Sequence, residues 1–109
     1  MSTIYETTMI VKPDLSNDQV KNLTNSLESF FNESNFTIGY KEDWGIKNLK
    51  FPINKYSKGS FKFIRYKADS TFPKKLDNFL KYNSDCLRYL IVKSENEIEE
   101  QTSQINRDN

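Results

Sequence analysis

The sequence contains no histidine, one cysteine and three glycines, and each scarcity excludes a kind of chemistry. Without histidine, the chain lacks the usual general base at neutral pH and the commonest ligand of transition metals. Three glycines are too few for a G-x-G-x-x-G or Walker-type phosphate loop. We therefore expect no catalytic residues, no metal site, no cofactor and no small-molecule substrate.

Cysteine usage and hydropathy indicate where such a protein resides. Cys86 has no second cysteine to pair with, so we expect a buried structural thiol and a reducing compartment. Residues 1–11 lack the basic segment and the long apolar run of a signal peptide. No window approaches the roughly 20 apolar residues of a membrane-spanning helix. The sequence thus predicts a cytoplasmic protein with no membrane association.

Charge divides the chain into two parts. Residues 94–109 carry five acids and one base, a net of -4, whereas residues 1–93 carry fifteen bases and ten acids, a net of +5. A length of 109 residues suits one domain. We predict a basic globular domain over residues 1–93 and a flexible acidic tail over residues 94–109.

The first half of the domain predicts a strand, a helix and a second strand. Residues 3–12 alternate, with Tyr5, Thr7, Met9 and Val11 on one face. Ser16 and Gln19 form a capping-box pattern, and an apolar stripe of helical spacing follows it. That stripe consists of Val20, Leu23, Leu27, Phe30 and Phe31.

The second half predicts a long hairpin, a helix and a last strand. A strand that starts at Phe36 continues past a bulge or bend at Gly45, and Pro52 indicates that it is an edge strand. Residues 54–60 are expected to form a loop before a third strand. Pro73 suits the first turn of a second helix, and residues 86–93 predict a fourth strand.

The resulting order, β-α-β-β-α-β, predicts the ferredoxin-like α+β fold: a four-stranded antiparallel sheet with both helices on one face. The opposite face of the sheet is then left open.

The segment from Trp44 to Lys67 has seven basic residues and no Asp or Glu. For any single lysine, a solvated side chain is the simpler explanation, but it does not account for the missing acids. A positive field of this kind attracts phosphates, so nucleic acid is the leading partner.

One alternative is a module that stacks single-stranded RNA on aromatic side chains. The run KGSFKFIRY is similar to the aromatic octapeptide of RNA recognition motifs, with Phe61, Phe63 and Tyr66 in order and Ser60 as an insertion. The companion hexapeptide on the first strand is poorly matched by IYETTM.

A second resemblance extends from residue 3 to residue 93. Its motifs, in order, are Tyr-Glu at 5–6, Asp-Trp-Gly at 43–45, LKFPINK at 49–55, Lys-Gly at 58–59 and LRYL at 87–90 before Val92-Lys93. In this combination they resemble the family of bacterial ribosomal small-subunit protein number six. The resemblance implies the same ferredoxin-like fold and a structural role in the small subunit. It further implies binding to the central domain of small-subunit rRNA, in a heterodimer with small-subunit protein number eighteen.

Candidate contact residues follow from charge and position. The expected RNA-binding residues are Lys47, Lys50, Lys55, Lys58, Arg65 and Arg88, with Lys55 and Lys58 placed in the expected loop. The expected protein-partner residues are Leu49, Phe51 and Ile53, on one face of the edge strand. The family often has paired arginines where this chain has Lys47 and Asn48, and lysine contacts a phosphate only as a point charge.

Overall fold

The computed structural model describes residues 2–94, so the expected acidic tail, apart from Ser94, lies outside the described residues. The predicted element order is confirmed. The elements are β1 (Thr3–Val11), α1 (Asn17–Glu33), β2 (Ile38–Ile53), β3 (Tyr56–Ala68), α2 (Phe72–Lys81) and β4 (Cys86–Lys93).

The strands form one antiparallel sheet in the order β2-β3-β1-β4. β2 is therefore an edge strand, as Pro52 predicts, and β4 is the other edge. Neither described helix is long and apolar enough to cross a membrane.

The core lies between the helices and one face of the sheet. β1 contributes Tyr5, Thr7, Met9 and Val11, the four residues predicted to share a face, and all four are buried. The buried residues of β3 and the helices complete the core: Leu27, Phe31, Ile64, Tyr66, Ala68, Phe72, Leu76 and Leu80. Both helices thus pack on the same face, and the other face is open.

α1 begins where the capping-box pattern predicts. The backbone N–H of Gln19 donates to Ser16 Oγ at 3.2 Å, and the N–H of Ser16 donates to Gln19 Oε1 at 2.8 Å. The helix then continues to Glu33, two residues beyond its last predicted apolar residue, Phe31. Asn35, with φ of 67°, reverses the chain toward β2.

β2 departs from regular pairing at three places, the first at Gly39, between the pairs Ile38–Tyr66 and Tyr40–Arg65. Asp43 pairs with Lys62 and Gly45 with Phe61, so Trp44 is an extra residue, and Gly45 has a φ of 83°. This bulge confirms the prediction made for Gly45. Farther along, residues 49–52 lie between the pairs Asn48–Lys58 and Ile53–Tyr56, where β3 has only Ser57. The edge strand is therefore widened beside Pro52.

The predicted loop over residues 54–60 is wrong. Only Asn54 and Lys55 form the turn, and β3 starts at Tyr56. Asn54 adopts a φ of 57°, a conformation that asparagine tolerates better than most residues. The hairpin consequently extends past the end of β1, whose pairing with β3 ends at Val11 and Ser60.

Candidate nucleic-acid and protein interface

The open face of the sheet is organised in cross-strand rows, which the antiparallel register fixes. Ile10 of β1 lies between Phe61 and Arg88, and Thr8 lies between Phe63 and Leu90. In the third row Glu6 lies between Arg65 and Val92. The face therefore combines aromatic rings and Arg65 on the β3 side with aliphatic side chains and Arg88 on the β4 side.

Aromatic rings and cations alternate on the β2 side of this face. Trp44 stacks on Phe63, with ring centroids 5.4 Å apart and planes 12° apart. Lys47 Nζ lies 5.7 Å from the Trp44 ring, and the Arg65 guanidinium lies 5.5 Å from the Phe63 ring. The bulge at Gly45 is what brings Trp44 over Phe63, so the bulge positions the stack.

Two basic residues of the segment from Trp44 to Lys67 are neutralised by acidic residues outside that segment. Arg65 forms an ion pair with Glu6 of β1, with Nη2 and Nε each 3.1 Å from Oε2. Lys62 forms one with Asp43, 2.9 Å between Nζ and Oδ2, and this contact, together with the Gly45 N–H, lowers the pKa of Asp43. The segment is thus less positive in the fold than its sequence indicates.

Glu42 anchors two rings at the rim of the open face. Its carboxylate accepts hydrogen bonds from the Tyr40 hydroxyl and from Trp44 Nε1. These two hydrogen bonds lower the pKa of Glu42, and the bond from Tyr40 has the larger effect. The ionised carboxylate is therefore the form that holds both rings in place.

The remaining predicted RNA-binding cations are exposed and surround the hairpin and β4. Lys47 and Arg88 lie on the open face, Lys55 lies in the turn, and Lys50 lies in the widened part of β2. The prediction that Lys58 sits in a loop is wrong, since it pairs with Asn48 inside β3. No ion pair among residues 2–94 includes any of these five side chains. Arg65 differs from these five cations because its guanidinium already forms an ion pair with Glu6 and contacts the rings of Tyr40 and Phe63.

The three predicted partner residues differ in exposure. Phe51 is 72% exposed, whereas Leu49 and Ile53 are half-buried. Leu49 lies beside Gly59, where its Cδ2 is 3.5 Å from the position that a β-carbon would take. Phe51 is thus the most accessible apolar group of the three.

Exposed apolar side chains that the sequence reasoning missed are Ile46, Tyr82, Leu90 and Val92. The alternation of β4 carried a signal for two of them, because Leu90 and Val92 share the face of Arg88 and not that of Tyr89 and Ile91. The near-continuous apolar run of this strand concealed that alternation.

The structure weighs against the single-strand stacking alternative. Tyr66, the third ring of its aromatic run, points into the core, is 2% exposed and shares a hydrogen bond of 2.9 Å with Thr7 Oγ1. Phe63 is on the open face, but Trp44 covers it. The trio of Phe61, Phe63 and Tyr66 therefore cannot form one platform.

Cys86 is half-buried, whereas the sequence predicts a buried thiol. Burial raises its pKa to about 11, so it is protonated at neutral pH, and its Sγ lies 3.5 Å from the carbonyl oxygen of Arg88. Residues 2–94 contain no cluster of three or more acidic or cysteine side chains able to hold a metal ion.

Comparison with known proteins decides the family. The sequence model of the family described as Ribosomal protein S6 matches residues 4–93. The chain belongs to this family. It is 35% identical to the small ribosomal subunit protein bS6 of Citrifermentans bemidjiense over 98 residues, which cover 90% of this chain and 73% of that protein. The bS6 of Aquifex aeolicus is 33% identical, with 79% of each chain covered.

The fold is shared with a solved member of the family. The crystal structure of 30S ribosomal protein S6 from Thermotoga maritima superposes with a TM-score of 0.79 at 21% identity, covering 86% of this chain and 89% of that one. This superposition confirms the ferredoxin-like fold, and the family match over residues 4–93 confirms the resemblance inferred from sequence.

Proposed function

We propose that this protein is a structural component of the small ribosomal subunit that binds the central domain of small-subunit rRNA together with small-subunit protein number eighteen. Membership of the Ribosomal protein S6 family across residues 4–93 carries the proposal. The family is structural and not enzymatic, and bacterial small subunits reside in the cytoplasm. The finer claims concern the RNA and protein contacts.

Hairpin cations that form no ion pair within residues 2–94 support the RNA contact. Lys47, Lys50, Lys55 and Lys58 are exposed, and they lie where β2 and β3 extend past β1. Long flexible cations on a protruding hairpin contact RNA phosphates with little loss of the hairpin's own packing. Arg88 adds a cation near the opposite edge of the sheet. In this proposal the ion pair of Arg65 with Glu6 mainly stabilises the open face, and only the outer edge of the Arg65 guanidinium can contact RNA.

The widened part of β2 supports the protein contact. An exposed apolar ring on a sheet edge favours association with another chain, and Phe51 is such a ring. Leu49 and Ile53 flank it and are half-buried, so they present a smaller apolar margin. Protein number eighteen would bury Phe51 and contact the side chains of Leu49 and Ile53.

Binding of the full-length chain to a central-domain rRNA fragment, with and without protein number eighteen, tests the proposal at two salt concentrations. A short single-stranded RNA serves as the competing ligand. We expect tight, salt-dependent binding to the structured fragment that requires the partner. Equal binding to the short strand without the partner would contradict the proposal.

Two variants separate the contacts. Lys55→Gln with Lys58→Gln is expected to weaken RNA binding and to reduce the slope of log K against log salt by about 0.7 to 0.9 for each phosphate that the variant no longer neutralises. Phe51→Ser is expected to weaken heterodimer formation and, when protein number eighteen is in saturating excess, to leave the salt slope of RNA binding unchanged. Lys21→Gln with Lys93→Gln, which also removes two exposed lysines, is the matched control for charge. If the double hairpin variant and this control bind RNA alike, the hairpin is not the RNA contact.

A further inference from the structure

The exposed surface of α2 is a second basic surface, separate from the hairpin. The helix contains Lys74, Lys75 and Lys81, all exposed, and no ion pair among residues 2–94 includes them. Its one acid, Asp77, accepts a hydrogen bond of 2.6 Å from the Tyr89 hydroxyl. The carboxylate of Asp69, before the helix, accepts bonds from Thr71 Oγ1 and from the Phe72 N–H. Both nearby acids thus have other hydrogen-bond partners. The bond from Thr71 is the main cause of the lowered pKa of Asp69, to which the charge of Lys75 adds, and none of the three lysines forms an ion pair within residues 2–94.

A tyrosine stands at the end of this surface. Tyr82 follows the last residue of α2 and is 79% exposed, the largest exposed fraction among the large hydrophobic side chains of residues 2–94. Lys81 Nζ lies 5.8 Å from the centroid of its ring. Packing does not account for a ring in this position, because nothing described buries it.

Helical spacing gives two adjacent rows on α2, one with Lys74 and Lys81 and one with Lys75 and, just past the helix end, Tyr82. Lys75 and Tyr82 are seven residues apart, as are Lys74 and Lys81, and seven residues make two helical turns. Cations beside an exposed aromatic ring fit an RNA strand with an unpaired base, since phosphates attract the lysines and any base can stack on the ring.

We infer that α2 provides a second RNA contact, in which Lys74, Lys75 and Lys81 bind phosphates and an unpaired base stacks on Tyr82. The inference rests on the proposed function. α2 packs beside β4, at the opposite edge of the sheet from the hairpin of β2 and β3. The two basic surfaces therefore contact different parts of one folded RNA, which a single short strand does not provide.

The test measures binding of full-length variants to the central-domain rRNA fragment with protein number eighteen. Tyr82→Leu keeps an apolar side chain but removes the ring, and we expect it to weaken binding by at least about fivefold. Tyr82→Phe keeps the ring and should bind within about twofold of wild type, because stacking does not need the hydroxyl. Chemical probing should show one unpaired nucleotide that wild type protects and Tyr82→Leu does not.

The lysines are tested by charge-matched pairs. Lys81→Gln should weaken binding more than Lys21→Gln, which removes one exposed lysine from α1. The triple change of Lys74, Lys75 and Lys81 to Gln should lower the salt slope by about 0.7 to 0.9 for each phosphate that these lysines neutralise. Thermal unfolding of each variant confirms that these surface changes leave the fold intact.

The outcomes distinguish this inference from the proposed function. If the wild-type chain binds the fragment, and the triple variant and Tyr82→Leu bind it with the same affinity and salt slope, the second contact alone is overturned. A weaker triple variant with an unaffected Tyr82→Leu would overturn the stacking and uphold the phosphate contact. Failure of the wild-type chain to bind the fragment would count against the proposed function itself.

Discussion

At the residue scale, Gly59 shows how a position that resembles a loop residue is fixed by packing. A β-carbon at this position would overlap Cγ2 of Ile10 and would lie 3.5 Å from Cδ2 of Leu49. Because Ile10 is β-branched and sits in the central strand, its side chain has little freedom to move away. Because Gly59 has no side chain, the side chains of Ile10 in β1 and Leu49 in β2 can pack against the backbone of β3.

Replacing Gly59 with Ala should therefore destabilise the protein by about 1 to 3 kcal/mol, the usual cost of forcing extra atoms into a packed site. The free energy of unfolding in urea measures the effect. Gly39→Ala is the control, because its β-carbon would meet only Arg65 O at an ordinary 3.5 Å. Equal stability of the two variants would contradict this account of Gly59.

Thr7 and Tyr66 form the one buried polar pair of the described core. Thr7→Val leaves the Tyr66 hydroxyl without its partner, which should cost about 1 to 3 kcal/mol in the free energy of unfolding. Adding Tyr66→Phe removes the unpaired hydroxyl and should restore much of the loss. A double variant less stable than Thr7→Val alone would show that the pair contributes in some other way.

The same hydroxyl predicts a pH dependence. Burial raises the pKa of Tyr66 from 10.0 to about 12, so the folded state keeps a proton that the unfolded chain loses. The stabilising contribution is complete below pH 10, and stability should fall between pH 10 and about 12 by up to 1.4 kcal/mol per pH unit. Unfolding in urea over this range should give a shallower decline for Tyr66→Phe. Parallel declines for both proteins would exclude Tyr66 as the cause.

At the element scale, local sequence signals specify the helices and β1 better than the hairpin. The capping box of Ser16 and Gln19 and the alternation of β1 depend on neighbours a few residues away, and both are predictable. β3 is different, because Ser57, Gly59 and Ser60 are typical of a loop and become a strand through pairing with β2 and the fit of Gly59 under Ile10. Such long-range contacts leave no local pattern in the sequence.

The candidate site follows the same division. Its basic segment is visible in the sequence, but the neutralisation of Arg65 by Glu6 joins residues 59 positions apart. Only the pairing of β1 with β3 brings these two side chains together. The bulge at Gly45 was predictable, whereas the placement of Trp44 over Phe63 depends on the register beyond it.

The capping box gives a prediction for a whole element. Ser16→Ala removes the acceptor for the Gln19 N–H at the start of α1, which should cost about 0.5 to 2 kcal/mol. Ser29→Ala, on the exposed side of the same helix, is the control and should be neutral or slightly stabilising because alanine favours helix. The free energy of unfolding in urea is measured for both variants and for the wild type. A Ser16→Ala variant as stable as the wild type would contradict the capping role.

At the scale of the whole molecule, the distribution of charge matters more than its sum. Residues 1–93 have a net charge of +5 and residues 94–109 have -4, so the whole chain has a net charge of only +1. Electrostatic attraction to RNA does not depend on sequence, and a domain without that segment would attract any RNA more strongly. We therefore expect the acidic residues to weaken binding to unrelated RNA.

Deleting residues 95–109 should therefore raise affinity for an unrelated single-stranded RNA at low salt, and the gain should shrink as salt rises. The Debye length falls from about 30 Å at 0.01 M to about 10 Å at 0.1 M salt, so an effect carried by charge fades over this range. A full-length variant with Glu95, Glu97, Glu99 and Glu100 changed to Gln isolates charge from length and should behave like the deletion. If the deletion binds unrelated RNA more tightly and the Gln variant does not, bulk and not charge is responsible. Unchanged affinity in both would leave the segment without a part in RNA selection.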